Sequence, residues 1–392
     1  MSEIAIGRDV IVLAKEESTP GTAVFPSATD AIFLTGEGSF RQVRNFIPDA
    51  QRRATFSKME RIKSRLAPGE WSFLTYIKPS GSQGTAPECG QLLKGLFGKE
   101  MVSAGQKVEY TLAGIDDTLS TFTIWFRLGH TVFCNAGCVV NSGDITIKAG
   151  NDDDSIAGIT FGGYFMKQIR TGTDALSQDE ILGATTIHVN NARKFMVGSI
   201  ISIGSLNNSG SGYDVTDVDY ANNTLTISPQ LEDAASEGDV VKGYLPTPTE
   251  VGEPVHGRLG YVTFDEGSNP VNTPIVAATI GMNNNIKMIE DEKADIDYPN
   301  DFIRTAEREV SLSVDCYFKK DVAARWYEVD AQAEKEIKIP AGDTAGKKLR
   351  FEFPKVQLDT PELSGAEEVV MTMPKAVLAS SSFEDEVKLV FD

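Results

Sequence analysis

The chain has 392 residues, 41% of them hydrophobic, and a formal net charge of −19. That length exceeds one ordinary compact domain, and the apolar fraction is enough for packed cores, so wholesale disorder is excluded. So acidic a chain repels phosphate and argues against general nucleic-acid affinity, and no apolar run approaches the ~20 residues that span a bilayer.

Thirty-five Gly and seventeen Pro, with many short apolar runs, predict a β-rich chain with many turns. Met1, Ser2 and Glu3 form an acidic start with no apolar signal core behind it. Cys89, Cys134, Cys138 and Cys316 are too sparse for a disulfide framework, which reads as free thiols made in a reducing cytosol.

In chain order, residues 10–13 and 31–34 predict short strands, with a turn at Pro20-Gly21 between them. Residues 41–65 then carry eight basic residues against two acids, a local charge of +6 that leaves −25 on the rest. Residues 72–78 alternate with apolar side chains on both sides, predicting a strand buried on two faces. Residues 90–97 predict a short helix with Leu92, Leu93 and Leu96 inward. Strands follow at 121–128, 144–148 and 156–165.

From Gly172 the texture changes to short strands with Gly, Asn and Asp turns: 186–189, 199–203, 224–227 and 240–244. Asn222-Asn223 marks a hairpin turn, and Pro246, Pro248 and Pro254 mark an exit. Strands at 260–264 and 275–280 lead to an acidic stretch, 290–301, with six acids and one Lys. A strand at 310–318 and a helix at 321–333 follow, the helix capped by Asp321 with Val322, Trp326, Val329 and Ala333 on one face. Strands at 348–353, 369–373 and 387–391 finish the chain.

The two outer parts share an element order: strand, charged stretch, strand, helix, strands. This reads as a duplication, set against chance agreement of two mixed β units. The two charged stretches have opposite signs, which suits alternating self-association. Contact with DNA and a merely solvated loop remain the other readings of the basic stretch.

No element points to catalysis. His130, Cys134 and Cys138 lie four apart, too spread along one extended strand for a tetrahedral metal, and read as buried thiols and an ordinary His. Asp152-Asp153-Asp154 lacks the Gly and terminal Glu of a calcium loop. "GDTAGKK" and "GLFGKE" are incomplete phosphate loops, and "FGGYFMK" reads as core. No catalytic, metal or cofactor-binding residue is assigned, and the chain reads as a structural protein rather than an enzyme.

Four stretches carry a resemblance: "AIGRDVIVLAKEESTPGTAVFPSATDAIFLTGE", "SKMERIKSRLAPGEWSFLTYIKPSGSQGTAP", "NARKFMVGSIISIGS" and "VGEPVHGRLG". They resemble the tail tube proteins of long-tailed bacteriophages, along essentially the full chain. The resemblance implies β-sandwich or barrel domains with a flanking helix. It implies subunits joined edge to edge into rings, and rings stacked into a tube through which the genome leaves. The long loop between early strands is expected to reach a neighbouring subunit or ring, and acidic groups are expected to line the lumen. DNA would be a transient passenger without specific binding, and other tail proteins would meet the tube ends. The place would be the virion tail, made in the host bacterial cytoplasm, with no membrane anchor.

The expected organisation is mainly β. A first tube domain spans 1–171, a small β decoration module 172–248 and a second tube domain 249–392. If family rings contain six tube domains, a duplicated chain closes a trimeric ring of pseudo-sixfold shape, with a hexamer as runner-up. Expected inter-subunit residues are Arg52, Arg53, Lys58, Arg61, Lys63 and Arg65, facing Glu290, Asp291, Glu292, Asp295 and Asp297. The competing class is a carbohydrate- or receptor-binding β protein of a virion, acting through the middle module.

Overall fold

The computed structural model describes the chain apart from residues 1–6, 52–56, 58–59, 151–154, 258–260, 265–270, 290–296, 320–324, 366–367 and 381. It is mainly β. Strand β1 (Val10–Glu16) pairs with β2 (Ala31–Ile32), and β3 (Ser39–Arg41) follows. The basic stretch folds as a hairpin, β4 (Arg44–Pro48) and β5 (Arg61–Leu66), before β6 (Gly69–Tyr76). Helix α1 (Gly90–Phe97) buries Leu92, Leu93 and Leu96 completely. Gly98 ends it at φ +108, a conformation glycine adopts without strain, and returns its N–H to the Lys94 carbonyl. The hairpin β7 (Gly98–Ser103) and β8 (Lys107–Leu112) leads to β9 (Phe122–Leu128), β10 (Thr131–Lys148), β11 (Gly158–Phe165) and β12 (Lys167–Thr171).

Strand β10 turns a corner. Its first part pairs with β9 and β12, and its second part pairs with β11. The register against β9 shifts between Asn135 and Cys138, where Gly137 has φ +67. A Cβ at Gly137 would sit 2.6 Å from the Met166 sulfur.

The middle part forms its own six-stranded sheet from β13 (Thr173–Ala175), β14 (Thr186–His188), β15 (Ile200–Ile203), β16 (Tyr213–Asp219), β17 (Thr224–Ser228) and β18 (Val240–Gly243). It has a separate core around Phe195, Ile201, Tyr213 and Leu225. Asn222-Asn223 turns β16 into β17, with Asn223 at φ +55.

The last part runs through β19 (Tyr261–Phe264), β20 (Val271–Pro274), β21 (Ala277–Asn283), the hairpin β22 (Ile286–Ile289) and β23 (Asp301–Arg304), and β24 (Glu309–Tyr317). Then come α2 (Arg325–Asp330), β25 (Glu334–Ala341), β26 (Leu349–Leu358), β27 (Glu362–Ser364), β28 (Val370–Val377) and β29 (Lys388–Phe391).

Strands of the two outer parts are linked into one closed β system. One eight-stranded run within it is antiparallel throughout, in the order β3–β6–β11–β10–β21–β24–β28–β27. One core spans both parts and includes Phe73, Ile145 and Phe161 with Ile280, Leu312 and Met373.

Within that run the two halves repeat in register. Glu70 lies opposite Arg41 on one side and Tyr164 on the other. Its counterpart Ser311 lies opposite Gly281 and Ala376. Even the irregularity recurs. Strand β10 slips one residue against β11 between Val140 and Ser142. The chain passing from β26 into β27 slips one residue against β28 between Leu358 and Glu362.

Two expectations need correction. Strand β6 is buried on one face only: Trp71 and Phe73 are inside, whereas Leu74 is 39% exposed. The alternation was read correctly, but among the described residues no second layer buries the other face. The second helix runs only over Arg325–Asp330 among the described residues, and Gln332 at φ +49 leaves the helical region. Asp321 and Val322 lie outside the described residues.

Strand β29 sits between β8 and β26 and ties the halves through Lys388. Its ammonium is 2.8 Å from Glu352 and 3.3 Å from Glu109. Burial opposes ionisation of both carboxyls, but hydrogen bonds from Lys388, with Lys107 at Glu109 and Arg350 at Glu352, hold both below the usual range. Burial likewise opposes the Lys388 charge, and the two carboxylates still raise its pKa. The contribution is therefore present above the ordinary carboxylate pKa and lost as pH falls through the depressed values. On the alkaline side it is lost above the raised lysine value. Lys388→Met should lower stability by about 1 kcal/mol at neutral pH. The deficit should shrink in acid, as read by denaturant melts at several pH values.

Candidate assembly surface

Alternation gives the long sheet two different faces. The inner face is aromatic and aliphatic, with Trp71, Phe161, Ile145 and Val314 buried. The opposite face is largely polar, with Ser72, Ser142, Thr146, Thr160, Thr279, Ser311 and Ser313 half-buried or exposed, and Leu74, Tyr76, Tyr164 and Tyr317 also lie on it. Glu70, Asp144 and Asp315 add acids to it, and Arg41 and Lys148 add bases.

The halves meet where β10 pairs with β21 over seven residue pairs, from Ser142 opposite Asn283 to Lys148 opposite Ala277. Ile145 faces Ile280 at its centre, and both are fully buried. Polar groups finish one end. The Asn284 amide donates to the carbonyls of Leu96 at 2.9 Å and Val140 at 3.3 Å. The Arg308 guanidinium donates to the Asn284 side-chain oxygen at 3.1 Å and to the Ala113 carbonyl at 2.9 Å. Burial lowers the pKa of Arg308.

Above this junction the two hairpins touch. The Asp297 carboxylate is 2.6 Å from Arg44 and 3.6 Å from Lys63. Its backbone oxygen accepts from the Leu66 N–H at 2.9 Å, and Arg65 donates to the Tyr298 carbonyl at 3.3 Å. The hydrogen bond from Arg44 comes first in holding the Asp297 carboxyl below its usual range, and Lys63 adds to it. Beneath, Ile286, Met288 and Phe302 of β22–β23 pack on Val139 and Met166. The second hairpin thus lies across the first half. Among the described residues the first hairpin has no such cover: Phe46 is 48% exposed and Ile62 60%. Arg61 lies over the Phe46 ring, 4.9 Å from its centroid.

Of the expected contact residues, Lys63, Arg65 and Asp297 come together within one chain, and Arg61 stays on the outer hairpin. Arg52, Arg53, Lys58, Glu290, Asp291, Glu292 and Asp295 lie outside the described residues. Sequence reasoning passed over Arg44, which makes the shortest contact to Asp297; only its place in the basic stretch could have marked it. It also passed over the strand edges at β3 and β27, because a strand of only three residues carries almost no signal. Cys134 and Cys138 are buried on β10, and burial pushes both thiols well up. Among the described residues no three His, Cys, Asp or Glu group as a metal would need, and no helix is long and apolar enough to cross a membrane.

A sheet whose two halves match in register, and whose end strands among the described residues each pair on one side only, suits a protein that assembles through its edges. The family model for phage tail tube protein matches residues 7–383. The chain belongs to that family and is a structural tail tube subunit of the virion tail, one that self-assembles and meets other tail proteins. No curated protein sequence matches it.

Proposed function

We propose that three copies of this chain close a ring of pseudo-sixfold shape, that rings stack into a tube, and that the genome leaves through its lumen. One observation carries this reading: each chain already holds two register-matched four-stranded units side by side in one sheet. Three such chains supply about 24 strands, a circumference of about 115 Å and a diameter of about 37 Å before tilt. The polar face lines the lumen. Its many short polar side chains offer DNA little to grip, and Glu70, Asp144 and Asp315 repel phosphate, so the duplex slides without specific binding. The core-bearing side faces outward, and the six-stranded module decorates the exterior.

The hairpin β4–β5 reaches a neighbouring copy. Arg52, Arg53, Lys58 and Arg61 are its basic contribution, and the acidic stretch holding Glu290, Asp291, Glu292 and Asp295 is the complementary charge. Phe46 corresponds in register to Ile286, which is buried against the adjoining half, and its exposure fits a partner supplied in trans.

The test is a cryo-EM reconstruction of the purified, polymerised protein. Three chains per ring is the expected count. Six chains per ring, or a chain that stays monomeric at high concentration, would overturn the reading.

A further inference from the structure

We propose that the ring closes by antiparallel pairing of β27 of one copy with β3 of the next, with Glu362 opposite Arg41, Leu363 opposite Phe40 and Ser364 opposite Ser39. This rests on the ring reading above and adds its seam and register.

The junction inside the chain supplies the template. Strand β10 pairs with β11 on one edge and with β21 on the other. Its counterpart beside β28 is β27, and among the described residues β27 pairs only with β28. The counterpart of β21 is β3, which among the described residues pairs only with β6. Each half thus has the same two edges, and the chain satisfies one of each. The unfilled pair are those that meet when the repeat is continued into another copy.

Register transfers residue by residue. Thr146 lies opposite Gly158 on β11, as Ser364 lies opposite Val370 on β28. Thr279 lies opposite Ser313 on β24, as Ser39 lies opposite Ser72 on β6. Thr146 faces Thr279 across the internal junction, so Ser364 faces Ser39 across the external one. One step along, Ile145 opposite Ile280 becomes Leu363 opposite Phe40. Asp144 opposite Gly281 becomes Glu362 opposite Arg41.

The residues at those places fit. Leu363 is 48% exposed in the single chain, whereas its counterpart Ile145 is fully buried. Pairing would give it Phe40 as an apolar neighbour on the core side. Glu362 and Arg41 are exposed and opposite in charge, on the lumen side. At the internal junction the matching place holds Asp144 and Gly281, with no cation directly opposite. The charge pair therefore belongs to the seam between copies, where register must be chosen without a covalent link.

The decisive experiment places Cys at Ser39 and Ser364 of one chain, assembles it, and treats it with a mild oxidant or a short bis-maleimide. The four native thiols are buried and stay silent. The two sites sit at opposite ends of an eight-stranded run, roughly 30 Å apart within one chain, so a link joins copies. Covalent multimers ending at the closed ring are expected. The pair Ser39→Cys with Glu362→Cys, two residues out of register, should link at least about fivefold less. Tubes that form without linking Ser39→Cys to Ser364→Cys, or that link the two pairs equally, would overturn the seam while leaving the tube standing. A wild-type chain that never makes rings would instead overturn the ring reading.

Should the Cys variant fail to assemble, charge exchange decides. Glu362→Arg should cut tube yield, and adding Arg41→Glu should restore most of it. Melting of the unassembled chain reports separately the cost of Arg41→Glu opposite Glu70. No loss from Glu362→Arg, or no rescue in a chain that still melts cooperatively, would overturn the proposal.

Discussion

Reversing Arg61, Lys63 and Arg65 to Glu is expected to abolish polymerisation while leaving the chain folded. The hairpin β4–β5 lies outside the main core, and Ile47, Ile62 and Phe46 are exposed on it. Its counterpart β22–β23 shows what such a hairpin does when it has a surface to rest on: Ile286, Met288 and Phe302 are buried on the adjoining half. Three reversals change the hairpin charge by six and face acid with acid in a neighbouring copy. Within the chain, Lys63 and Arg65 lose their contacts to Asp297 and Tyr298, but Arg44 remains at 2.6 Å. That local loss should be about 1 kcal/mol, because these side chains are largely solvated. Negative-stain images should show no tubes, and thermal melts should stay cooperative within a few degrees of wild type. Normal tubes would mean that the basic hairpin is only a solvated loop.

Ile280→Ala should produce the largest loss of stability from a single truncation at the internal junction, about 2–5 kcal/mol. Ile280 is fully buried opposite Ile145, and the strands to either side are themselves interior, so the cavity cannot collapse. Ile280→Lys should leave no cooperatively folded chain, because the charge would enter a core shared by both halves. Urea melts measure the first, and near-UV circular dichroism the second. A loss under about 1 kcal/mol for Ile280→Ala would show that the two halves are held together elsewhere.

Clean alternation was legible wherever one face meets the core. Strand β24, with Leu312, Val314 and Cys316 inward, and helix α1, with its three leucines, read directly. So did the module's hairpin at Asn222-Asn223. Strand β25 escaped because Glu334, Lys335, Glu336 and Lys338 surround only two strongly apolar residues, Ile337 and Ile339, yet tertiary packing buries both. Strand β10 read as a piece because glycines at 137 and 143 and polar Asn141 break its pattern, although it runs for 18 residues. The recurrence of element order was visible, but its register was not, since register lives in backbone pairing. The opposite charges of the two stretches were equally visible. That Asp297 meets Arg44 in the same chain was not, because composition says nothing about which copy supplies a partner.

Strand β29 fills the space between β8 and β26, setting Leu389 beside Tyr110. Joining positions so distant along the chain demands closure of a very long loop before any ladder bond rewards it. The six-stranded module, by contrast, pairs only strands within residues 173–243 and has its own core, so its loops are far shorter. The kinetics should therefore divide, with early condensation of the module and late locking of the outer halves. Until β29 docks, β8 and β26 each carry an open edge of their own. That interval is when a nascent subunit is most exposed to mispairing with its siblings.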